Sequence, residues 1–304
     1  MAPREHRPLR SADHRTPSEP RRARVTRARQ ETSVEDLDLV AIDTETTGLG
    51  WYERLVELGA VRFRAGRVVA RWRTLVDPRR PIPVRVSAIH GITDELVAGA
   101  PDARAALVEL QRFCEGAVLP AHNAVFDRDI LAAEYARTGV TPPAEALYCT
   151  WKFLKHCIPD APRHGLAALA KHLEFPTESP HRALADAELT RRLFSACAAR
   201  LPSPITLATL NAHATEAGAP WRIPGAVRRV RDLAPALRPL RLAKAAGAVV
   251  TLTVRGEDGA SSEARGVPAV LYQRGDEAMV DLRDERLREI TVPLATVTAV
   301  VVGA

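Results

Sequence analysis

Sulfur, aromatic rings and long apolar runs are all scarce in this chain of 304 residues. The four cysteines (Cys114, Cys149, Cys157, Cys197) are scattered, with no C-x-x-C or similarly close pair. That spacing argues against a thiolate metal site or a disulfide scaffold and for free thiols in a reducing compartment. No apolar run approaches the roughly 20 residues of a membrane helix. The N-terminus carries arginine and proline where a secretory signal would carry an apolar core. A cytoplasmic protein with no membrane partner is the expectation. Aromatic residues make up only 5% of the chain, too few and too dispersed for the base-stacking platform of a single-strand binder. The only glutamines are Gln30, Gln111 and Gln273, and none opens an apolar clamp-docking peptide.

Charge is plentiful but unevenly placed. Nine arginines against Glu5, Asp13 and Glu19 in residues 1–30 account for the whole net charge of +6. The remainder is balanced, so the basic excess is a tail and not a groove. A basic, proline-containing arm of this kind can hold phosphate backbone electrostatically, or serve only as a disordered leader. The length accommodates about two domains with real cores. We read residues 1–34 as the tail, 35–200 as an α/β domain, 201–243 as a linker with short helices, and 244–304 as a small β domain.

The stretch that organises the α/β domain is Val40-Ala41-Ile42-Asp43-Thr44-Glu45-Thr46-Thr47-Gly48-Leu49. An apolar strand ends here in two carboxylates at i and i+2, which period two places on one face. Side by side they repel, and burying them unpaired is costly. A hard divalent cation removes that conflict. A hairpin follows over residues 55–63 and 68–76, then a loop at 86–95 leading into a helix that Thr93 or Asp94 caps. Residues 103–115 read as an amphipathic helix and 117–121 as a buried strand. His122-Asn123-Ala124-Val125-Phe126-Asp127 opens another helix, whose dipole favours the anion Asp127. Helices are expected at 150–157, 165–173 and 182–200. Asp186 lies early in the last of these, and His181 precedes it by five residues. On a regular helix that spacing separates the two by about 140°, so they share a site only if His181 belongs to the preceding loop.

Asp43-Thr44-Glu45-Thr46-Thr47-Gly48, His122 to Asp127, and His181-Arg182-Ala183-Leu184-Ala185-Asp186 resemble the three motifs of DEDDh exonucleases, a branch of the ribonuclease H-like fold. Ser87-Ala88-Ile89-His90-Gly91-Ile92-Thr93 is similar to the intervening loop of epsilon, the proofreading subunit of bacterial replicative polymerases. The resemblance spans about residues 35–200. It implies a mixed sheet flanked by helices, and hydrolysis of phosphodiester bonds at DNA 3′ ends, in proofreading or repair, releasing nucleoside 5′-monophosphates. It also implies two Mg2+ or Mn2+ ions held by Asp43, Glu45, Asp127 and Asp186, with His181 as general base. By the same resemblance Thr46, Thr47, Leu49, His90, Asn123 and Phe126 border the terminal nucleotide, although Phe126 also suits the core of its helix. The implied partners are a single-stranded DNA 3′ end and a polymerase catalytic subunit.

Two other readings stay open. Ribonuclease T-like and oligoribonuclease-like enzymes share these acids, and discrimination rests on contacts at the sugar 2′ position. A nucleic-acid-binding regulatory module with a vestigial site is the alternative from another class, against which stands the presence of all four acids. Short strands at regular spacing from Gly247 onward predict a small β-barrel. Its layout resembles the SH3-like barrel of WYL domains, with Gly266-Val267-Pro268 before a hairpin. Ala278-Met279-Val280 departs from that family's Trp-Tyr-Leu signature. Eight basic and nine acidic residues over 241–304 offer no electrostatic grip on DNA.

Overall fold

The computed structural model describes residues 31–144, 146–176, 181–202, 205–214, 221–222, 228–230 and 233–303. The tail expected over 1–34 lies outside this set up to residue 30. In chain order the first sheet begins with β1 (Leu39–Thr46), β2 (Leu55–Arg64) and β3 (Arg67–Leu75), a meander in which each neighbour is antiparallel. The short helices α1 (Val84–His90) and α2 (Asp94–Val97) follow, then α3 (Ala103–Phe113), β4 (Leu119–Ala121) and α4 (Val125–Thr138). Next come β5 (Ala146–Cys149), α5 (Thr150–Cys157), α6 (Leu166–His172), α7 (Ala183–Ala198), α8 (Leu207–Ala214) and β6 (Trp221–Arg222). The strand order is β3-β2-β1-β4-β5-β6, with β1, β4 and β5 parallel and the rest antiparallel. Helices cover both faces, as expected for a ribonuclease H-like α/β sheet.

Period-two alternation along β1 sorts its side chains between two cores. Val40 and Ile42 enter the layer shared with Leu107, Leu110, Ile130 and Leu131 of α3 and α4. Leu39 and Ala41 enter the opposite layer with Phe153, Leu193 and Phe194 of α5 and α7. Being odd-numbered, Asp43 and Glu45 continue the α7 face. Thr44 continues the α4 face. That parity decides which helix can bring which acid to the site.

Three details depart from the sequence expectation. The loop at 86–95 is helical over Val84–His90, and Thr93 caps α2 without a side-chain bond. The Asp94 carboxylate instead accepts from the Ile82 N–H at 2.9 Å. Strands β5 and β6 were not anticipated, because four and two residues carry too little periodicity to read.

The predicted barrel is an open sheet. After β7 (Arg228–Arg229) and α9 (Arg238–Ala246) come β8 (Val250–Arg255), β9 (Ser261–Arg274), β10 (Glu277–Arg283), β11 (Glu289–Pro293) and β12 (Val297–Val302). The order is β11-β10-β9-β8-β12, with β7 also on β9, and among the described residues no pairing joins β11 to β12. The long strand β9 pairs β8 through its first half and β10 through its second. Closure is unnecessary because α9 supplies the apolar cover: Leu240 and Ala243 are buried against Val250, Leu252, Leu271, Val280 and Leu282.

This second sheet docks on α4. Arg137 of α4 donates from Nε to Asp281 in a very short contact and from Nη2 to the Tyr272 hydroxyl at 2.9 Å. Arg54, just before β2, bridges Glu134 of α4 at 2.7 Å and Glu289 of β11 at 2.5 Å. Arg274 of β9 reaches Asp129 at 3.2 Å and lies 4.4 Å over the Trp51 ring.

A carboxylate cluster as the candidate active site

Strand β1 runs into its two acids without losing its pairing, since Asp43 sits opposite Gly59 and Glu45 opposite Glu57 on β2. On the face they share, α7 approaches with Asp186 in its first turn. One carboxylate oxygen from each of Asp43, Glu45 and Asp186 lies within 4.8 Å of the other two. Three acids from two elements distant in sequence thus converge.

Asp127 arrives from the other layer. It occupies the first turn of α4, is 2% exposed, and accepts a 2.9 Å hydrogen bond from the Thr44 hydroxyl. Thr44 points to the α4 face, so this bond ties the fourth acid to the same strand end. Asp127 stands outside the close trio but is the strongest charged influence on Asp43.

The electrostatics are those of a site with too many anions. Burial first, then Asp127, Asp186, Glu45 and Glu57, holds the Asp43 carboxyl well above the usual carboxylate range. Burial followed by repulsion from Asp186, Glu57 and Asp127 pushes Glu45 up to about 8. Asp127 is pushed up to about 7 by burial, against the relief of its Thr44 hydrogen bond. Asp186 is also raised by burial, with His181 nearby acting in the opposite sense. Such a donor set fits a divalent cation. Hard oxygen ligands at close range, protonated for want of a counter-charge, are what Mg2+ or Mn2+ displaces protons from.

His181 lies in the loop before α7, exposed, with φ +61° in the left-handed region that side chains seldom enter. Its backbone N–H donates to the Asp186 carboxylate at 3.2 Å. His181 thus belongs to the preceding loop and not to the helix, and its backbone meets the Asp186 carboxylate.

Glu57 and Arg182 belong to this constellation and were not anticipated. Glu57 is 1% exposed, yet it lies between apolar residues of β2. Arg182 donates to it from Nη2 at 2.7 Å and Nε at 3.1 Å, and the Ala183 N–H donates at 2.9 Å. A signal existed in the sequence. A charge inside the run Leu55 to Val61, on a strand buried on both faces, demands a partner.

The residues expected on the substrate side divide into organisers and open groups. The Thr46 hydroxyl donates to the Gly48 carbonyl, and the Thr47 hydroxyl to Glu53, both at 2.5 Å. Both threonines are buried and shape the β1–β2 turn. Leu49 at the tip of that turn is 89% exposed. His90 is buried and accepts at Nδ1 from the Ile92 N–H (3.0 Å), so its Nε2–H faces the Thr46 carbonyl at 3.3 Å. It braces the strand end against α1. Asn123 is exposed with φ +55°, and Phe126 is half-buried against the α3–α4 core. His122 is tied to Thr150 and to the His164 carbonyl, behind the sheet edge.

The exonuclease family model RNase_T matches residues 40–194, the interval that holds every one of these groups. The chain belongs to this exonuclease family. Among curated proteins, the exonuclease is 35% identical over 159 residues to the DNA polymerase III PolC-type of Streptococcus sanguinis strain SK36, covering 52% of this chain and 11% of that protein. The counterpart from Streptococcus thermophilus strain ATCC BAA-491 / LMD-9 is 36% identical over 155 residues, covering 51% and 11%. The chain thus spans about a tenth of the length of the curated relatives it matches. Among solved structures, E. coli exonuclease I in complex with a dT13 oligonucleotide superposes with a TM-score of 0.52 at 15% identity, over 81% of this chain and 55% of that one. At that identity the likeness concerns the fold. Among the described residues, no helix of the exonuclease is long and apolar enough to cross a membrane.

Proposed function

We propose that this exonuclease removes nucleotides from the 3′ end of DNA, releasing nucleoside 5′-monophosphates. The observation that carries the reading is the convergence of Asp43, Glu45 and Asp186 within 4.8 Å at a strand end. In this reading Asp43, Glu45 and Asp186 hold one Mg2+ or Mn2+ ion, and Asp43 with Asp127 serves a second. Two such ions, when bound, neutralise charge on the attacking and leaving oxygens of an in-line phosphodiester displacement.

The chain's own residues perform the remaining tasks. His181, exposed beside Asp186, takes the proton of the attacking water, a role that a histidine commonly fills. The β1–β2 turn, held by the Thr46 and Thr47 hydroxyls, presents Leu49 to the terminal nucleotide. Asn123 and the exposed edge of Phe126 form the facing wall, and His90 keeps the Thr46 carbonyl in place. Similarity to DNA polymerase III PolC-type proteins supports DNA as the substrate and a polymerase catalytic subunit as a partner. Residues 35–200 form the hydrolytic unit, and 244–304 brace it through α4.

The test is nucleotide release from 3′-labelled single-stranded DNA and RNA of equal sequence, with and without Mg2+. Mg2+-dependent release of mononucleotides from DNA, abolished by Asp43→Ala, is expected. Preference for RNA would overturn the substrate, and activity surviving Asp43→Ala would overturn the site. Co-purification with a polymerase catalytic subunit tests the partner.

A further inference from the structure

Glu57 sits among the acids without being one of the three that converge, and its hydrogen bonds explain why. Both of its oxygens are already occupied, one by Arg182 Nη2 and the other by Arg182 Nε and the Ala183 N–H. A carboxylate so engaged has little left to offer a cation. Its bonds all end on residues 182 and 183, between His181 and Asp186.

Helix α7 needs that attachment. No side chain of its own caps its N-terminus: Arg182 at the N-cap position carries only donors, and its guanidinium goes to Glu57. One orphan N–H of the first turn is satisfied from the neighbouring strand instead. Two residues on, β2 offers the same helix a second accommodation. A Cβ on Gly59 would lie 2.2 Å from the Ala183 carbonyl carbon, so only glycine lets the helix start approach this closely. Positions 57 and 59 share one face of β2. One grips the start of α7 and the other makes room for it.

We infer that Glu57 and Arg182 form a positioning clamp that sets the start of α7, and with it Asp186 and His181, against Asp43 and Glu45. The inference rests on the proposed function for its kinetic readout. The bidentate geometry matters because a planar guanidinium fork fixes orientation as well as distance. The pair brings almost no net charge to a crowded anionic site, which a lone arginine or a lone glutamate would do.

The test uses the full chain and two readouts. The first is single-turnover release of the 3′ nucleotide at saturating Mg2+. The second is Mn2+ binding to the substrate-free protein, followed by electron paramagnetic resonance. Glu57→Gln is expected to lower the single-turnover rate by about 10- to 100-fold, the effect of a reacting group displaced by about 1 Å. Oligonucleotide half-saturation should stay within about twofold of wild type while Mn2+ affinity falls at least about threefold, since the clamp acts on the metal ligands. Arg182→Lys, which keeps the charge and loses the fork, should show the same pattern. Glu57→Gln/Arg182→Lys should be no slower than the worse single variant, because two members of one contact do not add. A Glu57→Gln rate within about twofold of wild type, additive losses, or a loss confined to half-saturation would overturn the clamp. If circular dichroism shows Glu57→Gln unfolded, Arg182→Lys decides by the same criteria. Failure of the proposed function reads differently: wild type would lack Mg2+-dependent release, while the Mn2+ arm would still report on the clamp.

Discussion

Glu45 keeps its proton up to about pH 8 because burial opposes its charge first and Asp186, Glu57 and Asp127 oppose it next. The folded protein without metal therefore binds a proton that the unfolded chain releases at the ordinary carboxylate value. The stability this adds is present at low pH and is lost as pH rises through about 8. Asp127, raised to about 7, acts in the same direction. A bound divalent cation replaces those protons and removes the loss. Scanning calorimetry should show Mg2+ raising Tm more at about pH 8.5 than at about pH 6. The reverse order would mean that the acids do not hold the ion. At the rim, His181→Ala should slow single-turnover hydrolysis by about 10²- to 10⁴-fold, the range for loss of a general base. Mn2+ binding to that variant should match wild type, and a parallel loss of metal would reassign His181 from proton transfer to metal support.

Helix α7 matters as an element because it carries the site at one end and the core along its length. Phe194 packs edge-on to Phe63 of β2 with centroids 6.0 Å apart, and against Phe153 of α5 at 5.3 Å. Phe194→Ala should cost about 3–5 kcal/mol in denaturant unfolding, the transfer loss plus the cavity left in a layer that cannot collapse. A loss under about 1 kcal/mol would show the layer to be repackable. Most elements readable in the sequence, such as β1 to β3, α3, α4, α5, α6 and α7, are long enough to repeat their period, while the three-residue β4 and the C-terminal strands were read from apolar runs between turns. The linker held a hidden part of the sheet, since two residues, Trp221 and Arg222, pair with Leu147 and Ala146. No periodicity exists in a strand that short.

At the scale of the whole molecule, the two sheets are joined by charges buried between them. Arg137 and Asp281 are 144 residues apart in sequence and nearly inaccessible, and they meet where α4 rests on the second sheet. Removing Asp281 leaves Arg137 in a dry interior with Glu134, 2.9 Å away, as its remaining counter-ion, one that Arg54 also engages. Asp281→Ala should therefore cost about 1.5–3 kcal/mol, the value of a hydrogen bond to a charged group, measured by chemical denaturation. An Asp281→Ala protein of wild-type stability would show the contact to be hydrated in solution. Because Asp127 lies in the first turn of α4, the second sheet supports from behind the helix that delivers the fourth acid.

Local physics was enough to place the acids. A strand ending in Asp43 and Glu45 has both on one face whatever surrounds it, and Asp127 and Asp186 at helix starts need only short-range signals. The motifs that pointed to exonuclease chemistry are local for the same reason. What only the tertiary structure decided is which acids share an oxygen-to-oxygen distance, how His181 turns back on itself, and that Glu57 and Arg182 pair across 125 residues. It also decided that the C-terminal strands stay open beneath α9. Those outcomes depend on which surfaces meet, and pairing between distant residues leaves no period in the chain to read.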